Sequence, residues 1–410
     1  MANIRPFPSG RPPKELAARV ASVPYDVVNT AEARELARGN PVSFLHVCRP
    51  EIDLPEKTDL YADEVYAKGR ENLDRFYADG TLHDDPLPRL FVYRQTWKGR
   101  KQDGLVACCS VDDYDEDVIR KHEKTRKDKE NDRVRHVLTQ SAHAEPVFLT
   151  YRAVDSIDDA VARITAGVPE YRFTAPDGVE HALWLVPVDE TDFFVDEFRC
   201  VPFLYVADGH HRCASASRAR AALRERNHAL SPDHPVNWFV ATVFPDRELR
   251  ILPYNRVVKD LNGRTPEAFL AEVGKEFGVK PGAGPEPQKK GDVRMYLGGA
   301  WYALTPKRPV DLSDPIRSLD VSVLQERLLT PTLGIGDPRT DKRIDFVGGI
   351  RGTAELEKRV GSGAFAVAFS MFATTVAELM AIADAGETMP PKSTWFEPKL
   401  ADGLVSHMLD

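Results

Sequence analysis

Residues 203–219 read FLYVADGHHRCASASRA, and the order of chemistry in this stretch decides the fold. Phe203, Leu204, Tyr205 and Val206 form a short apolar run suited to a buried strand, and the alanines and arginines from Cys213 to Arg226 favour a helix. The polar box Asp-Gly-His-His-Arg falls in the turn between them. A helix that starts at such a turn has backbone N–H groups without internal partners and a partial positive charge at its first residues, which makes it an anion site. Gly209 lets the backbone come close to a ligand, and Arg212 offers a planar fork for phosphate oxygens. Asp208 reads either as a helix cap or as the ligand of a cation. Gly209, His210, His211 and Arg212 are therefore the expected phosphate-binding residues, with Asp208 the expected metal ligand.

Working outward, 410 residues exceed the usual size of one hydrophobic core, so two lobes are expected. With 42% hydrophobic and 29% charged residues the composition is that of a globular chain, and a net charge of −8 disfavours broad contact with nucleic acid or an anionic membrane. No run is apolar and long enough for a signal peptide or a membrane span, which leads to an expected cytoplasmic location. Cys48, Cys108, Cys109, Cys200 and Cys213 show no CxxC or zinc spacing.

Apolar runs at 90–97, 104–111, 146–151 and 237–244 alternate with helical stretches, which predicts a mixed α/β fold. A helix begins at Thr30, and a longer amphipathic one runs from about Leu60 to Ala78. The Pro/Gly-rich segment PGAGPEPQKKGD reads as a linker over 281–292, giving a main lobe over 1–280 and a C-terminal lobe over 293–410. Within the latter, VRMYLGGAWYALTP reads as a hairpin, and the closing stretch MPPKSTWFEPKLADGL reads as folding back onto the body.

Two further segments carry chemistry. In IRKHEKTRKDKENDRVRH (119–136) twelve of eighteen residues are charged, a pattern shared with solvated helix faces. Read as one helix, it places His122, Glu123 and Thr125 within a turn, with Lys129 and Arg133 beyond Thr125 on the same face. His122 and Glu123 are then candidate bases, Thr125 a substrate contact, and Lys129 and Arg133 phosphate contacts. In VPYDVVN, Tyr25 is a candidate substrate contact, and Asp26 is a base, a metal ligand or a turn cap. The chain holds no HExxH, no Walker loop and no GxGxxG, which excludes common zinc hydrolase, P-loop and dinucleotide folds.

VPYDVV, NPVSFLHVCRPE, HEKTRKDKENDR, YVADGHHR and MPPKSTWFEPK together resemble the family of domains of unknown function numbered 1015, from about Pro6 to the C-terminus. The DGHHR box by itself resembles the phosphate-binding box of the ParB and sulfiredoxin superfamily, closest in kind to free serine kinase. That resemblance implies a strand-turn-helix nucleotide-binding core within a two-lobed α/β fold. It also implies ATP or ADP as phosphate donor, with CTP an alternative, Mg²⁺ as cofactor, and an acid from outside the box, a role open to Asp26 or Glu123. The expected function is phosphate transfer to a small hydroxyl compound, most concretely free L-serine to O-phosphoserine. A phosphatase and a non-catalytic nucleotide-binding switch are the alternatives.

Overall fold

The computed structural model describes residues 1–410, which divide into two compact units: Met1–Leu249 together with Pro398–Asp410, and Arg250–Glu397. The expected boundary at 281–292 is corrected by this division, because that segment lies inside the second unit. It joins two strands that both pair with a third, so its prolines and glycines make a loop within one sheet. The expected return of the C-terminal stretch to the first unit is found from Pro398 onward.

The first unit is built on a nine-stranded sheet. Its strands are β1 (Ile4–Arg5), β2 (Phe91–Trp97), β3 (Arg100–Ser110), β4 (Ile119–Arg120), β5 (Val147–Tyr151), β6 (Tyr171–Thr174), β7 (Glu180–Leu185), β8 (Leu204–Asp208) and β9 (Trp238–Pro245). They lie in the order β4-β8-β5-β9-β3-β2-β7-β6, and β1 pairs with β3. Pairs β4·β8 and β5·β9 are parallel and the rest antiparallel, so the sheet is mixed. Strands β5, β8 and β9 are buried along almost their whole length, which is why they read as continuous apolar runs rather than alternating ones.

Six helices of this unit matter here: α1 (Thr30–Ala37), α2 (Asp63–Ala78), α3 (Lys127–Gln140), α4 (Asp155–Thr165), α5 (Thr191–Cys200), which precedes β8, and α6 (His210–Arg226). Helix α1 begins at Thr30, as expected, and is capped by a reciprocal pair between Asn29 and Glu32. Helices α4 and α5 bury Ile157, Val161, Phe194 and Phe198 against the sheet, while Phe44, Leu73 and Phe76 close a second core nearer the N-terminus.

The second unit holds a six-stranded antiparallel sheet of β10 (Tyr254–Val258), β11 (Phe277–Pro281), β12 (Val293–Leu297), β13 (Ala300–Pro306), β14 (Ile344–Gly348) and β15 (Val367–Ser370), ordered β11-β13-β12-β15-β10-β14. The expected hairpin is β12–β13, turned by Gly298 and Gly299, which both adopt positive φ. No helix of either unit is long and apolar enough to cross a membrane.

Candidate functional site

The quoted stretch folds as its residue order dictates. Strand β8 ends at Asp208 after a register shift against β5 between Val206 and Asp208, and helix α6 starts at His210. Gly209 is the N-cap with φ +96°, and no side chain caps the helix. The Arg212 and Cys213 N–H groups turn back to the Gly209 carbonyl at 2.9 and 3.1 Å, and Asp208 Oδ1 accepts from Gly209 N at 2.9 Å. The N–H groups of His210 and His211 are thus the ones the helix leaves for an external acceptor. A Cβ at position 209 would lie 3.0 Å from Arg212 Nε. Gly209→Ala is therefore expected to cost about 1–3 kcal/mol from the left-handed backbone and this approach, read as a lower urea midpoint.

Arg212, expected as a fork on the turn, lies beneath it instead. It is 7% exposed, its Nη1 donates to the Pro146 carbonyl at 2.5 Å, and its Nε has no hydrogen-bond partner. Burial works against its charge, but Asp26, Asp208, Asp402 and Glu145 surround it and hold the guanidinium firmly protonated. Arg133 is likewise corrected from a surface phosphate ligand to an interior cation. Its Nε and Nη2 donate to Asp132 Oδ2 at 3.0 and 2.9 Å, its Nη1 reaches Glu145 Oε2 at 3.4 Å, and its guanidinium lies 4.0 Å from the centre of the Tyr25 ring. Tyr25 is buried as that platform, which corrects its expected role as a substrate contact.

The 119–136 run is not one helix. His122 to Arg126 form an irregular segment, and α3 begins only at Lys127, so His122, Glu123 and Thr125 do not share a helical turn. The segment instead lies along the N-terminus of α6. The His122 and His210 rings stand edge to face with centroids 4.5 Å apart, Glu123 Oε2 is 4.0 Å from His210 Nδ1, and Arg126 N donates to His211 Nε2 at 3.1 Å. Thr125 donates its hydroxyl to Glu130, whose other oxygen accepts from Arg218 at 3.0 Å, so Thr125 fastens the segment to α3. Lys129 Nζ reaches the Tyr61 hydroxyl at 3.4 Å.

His122 and His210 are 1% and 5% exposed. Burial pushes His122 down to about 4, opposed by Asp208 and by the backbone of Val206, although neither ring nitrogen makes a hydrogen bond of good geometry. Burial, then His122, lowers His210 well below its usual range. Both rings are neutral in the fold, whereas an unfolded chain protonates them from pH 6.5 downward. Their contribution is whole above pH 6.5 and is lost as pH falls, for His122 towards about 4, at up to about 1.4 kcal/mol per pH unit for each histidine. Denaturation midpoints measured between pH 7 and 4.5 should therefore drop, and less so in His122→Gln.

Asp208 has a different partner from the one expected. Its Oδ2 accepts from Lys399 Nζ at 2.8 Å. Burial opposes its charge, but Lys399 and Arg212 hold the carboxyl well below the usual range. A lone carboxylate paired with an ammonium does not fit a protein-held Mg²⁺, which takes oxygen ligands in near-octahedral array. The donor set that does converge is Cys48, Glu145 and Asp402, whose ligand atoms lie within 4.8 Å of one another. Both Asp402 oxygens and Glu145 Oε1 lack hydrogen-bond partners, and burial raises both carboxyls and the Cys48 thiol. Arg133 and Arg212 lie beside this set, and their charges oppose the effect of burial on both carboxyls. A cavity of about 30 Å³ borders it, lined by Arg133, His136, Glu145 and Arg212.

Asp26 is exposed and stands within the field of Arg212 and His211, so the structure brings together the Gly209 turn, the His122–Arg126 segment and the VPYDVV box. The pattern reading missed Glu145, Asp402 and Lys399. Glu145 was visible as an acid set directly before the apolar run of β5, and Lys399 lay inside the quoted closing box. Cys213, beside the turn, is buried, and burial pushes its thiol up to about 12.

No curated protein matches the chain. Solved structures similar to the chain include a conserved hypothetical protein from Pyrococcus furiosus (TM-score 0.34, 14% identity, covering 74% of this chain and 94% of that one). They also include a free serine kinase in complex with AMP (0.33, 14%, 72% and 86%) and a C-terminally truncated SbnI from Staphylococcus aureus (0.38, 14%, 73% and 86%). These values lie below the level at which a shared activity follows. The sequence is decisive at the level of family: a family model matches residues 4–322, and the chain belongs to the protein family of unknown function DUF1015.

Proposed function

We propose that the protein is a nucleotide-dependent phosphotransferase acting on a small hydroxyl compound in the cytoplasm, most concretely converting free L-serine to O-phosphoserine. The observation that carries this reading is the start of α6: a 17-residue helix whose N-terminus no side chain caps, opening at a glycine of positive φ, above the buried Arg212. The His210 and His211 amides take the phosphate oxygens, the helix dipole and Arg212 stabilise their charge, and ATP or ADP is the donor. Asp26 and Glu123 stand exposed beside this turn. One of them accepts the acceptor's hydroxyl proton as the new O–P bond forms and the O–P bond to the nucleotide breaks; the nucleotide leaves with the electron pair. Magnesium enters as the nucleotide's own counterion, and no protein cage for it is invoked. The serine version rests on the likeness of DGHHR to the box of free serine kinase.

The test is to incubate the protein with ATP or ADP, magnesium and serine, and to detect phosphoserine directly. Phosphoserine formation supports the reading. Phosphate release from phosphoserine establishes a hydrolase in its place, and nucleotide binding without either product establishes a switch.

A further inference from the structure

The C-terminal stretch brings a lysine to the turn, and the way it is anchored is informative. Asp208 uses one oxygen to hold the Gly209 N–H at 2.9 Å and the other to hold Lys399 Nζ at 2.8 Å, so a single carboxylate fixes both the turn and the ammonium. The Lys399 backbone is pinned from below. Its carbonyl accepts from Gln95 Nε2 at 2.6 Å, Gln95 Oε1 accepts from Gln102 Nε2 at 2.8 Å, and, two residues on, the Ala401 N–H donates to the Tyr93 hydroxyl at 3.2 Å. Asp402 then exchanges backbone hydrogen bonds with Ser22 at 2.9 and 3.1 Å. Gln95, Gln102 and Tyr93 are at most 3% exposed. Burying polar groups costs free energy that pairing offsets, so this ladder across β2 and β3 commits interior positions to placing one short segment.

The side chains of Lys399 and Asp208 are 20% and 26% exposed, so the pair is anchored from inside yet reachable from solvent. A divalent cation on Asp208 would face the ammonium at close range, and like charges this close repel strongly where water is scarce. An ammonium is itself a compact charge well suited to phosphate oxygens. We infer that Lys399, rather than a protein-held metal ion, supplies the cation beside Asp208 and contacts the phosphates of the bound nucleotide. This inference rests on the reading of the Gly209 turn as a nucleotide-phosphate site.

The experiment is calorimetric titration of ADP into the wild type, Lys399→Ala and Lys399→Arg, with magnesium and with EDTA, alongside thermal unfolding of each. The wild type is expected to bind ADP in EDTA. Lys399→Ala should bind it at least about tenfold more weakly, as befits one charge-assisted hydrogen bond, and Lys399→Arg should regain part of the loss. Wild-type binding that vanishes in EDTA overturns the inference in favour of a metal. Equal ADP affinity in wild type and Lys399→Ala overturns it too, leaving Lys399 as a clasp of the segment. Loss of affinity in both variants only in step with their melting temperature overturns it in the same way. If the wild type binds no ADP under any condition, the phosphotransferase reading itself falls, an outcome distinct from the other three.

Discussion

Arg212→Ala is expected to lower the stability of the first unit by about 3–5 kcal/mol and to abolish measurable nucleotide binding, because removing one partner of a buried charge cluster leaves the others uncompensated. Those others are specific. Asp208, Asp402 and Glu145 all act on the Arg212 charge from buried or half-buried positions, and two of the three already lack hydrogen-bond partners for at least one oxygen. Urea unfolding gives the stability change, and Arg212→Lys separates charge from shape: it keeps the cation but cannot make the bond to Pro146 in the same way, so it should fall between the two. An unfolding midpoint unchanged by Arg212→Ala would mean that the surrounding acids are neutralised by other groups and that Arg212 does not organise the turn.

The second large effect concerns chemistry. Glu123→Gln or Asp26→Asn is expected to cut phosphate transfer by about 10² to 10⁴, the usual contribution of a positioned general base, while leaving nucleotide affinity within a few fold. Folding should be unaffected, since Glu123 is 58% exposed at its side chain and Asp26 also faces solvent. Glu123 ranks first because its Oε2 stands 4.0 Å from Nδ1 of His210, the first residue of α6. Turnover in both variants equal to wild type would place the base elsewhere, with His211, which is part exposed beside the turn, next in line.

Much of the fold was legible because it depends on local chemistry. Each of the four apolar runs became a strand, DGHHR became the junction of strand and helix with Gly209 alone between them, and Gly298-Gly299 turned the expected hairpin. The boundary was misplaced because PGAGPEPQKKGD carries the composition of a linker whether it joins domains or neighbouring strands. The 119–136 run was misread for a related reason. Its charges suit a helix throughout, but Ile119 and Arg120 pair as a strand with Leu204 and Tyr205, and the following residues meet His210 and His211, partners more than eighty residues away. Sequence distance likewise hid Asp402 and Lys399, which become part of the site only because the chain's end returns to the first unit, which periodicity does not encode. Glu145 was hidden because its partner Arg133 read as a surface charge. Arg133 looked like a surface charge for want of the acids that bury it.

The central claim is that the first amides of α6 hold the phosphates of a nucleotide. It is tested most directly by nitrogen-15 TROSY spectra of the intact protein titrated with ADP, with amides 209–213 assigned. The account predicts saturable shifts concentrated on His210 and His211, reproduced at lower affinity by inorganic pyrophosphate and absent with adenosine alone. ADP that binds while these two amides stay in place would contradict it.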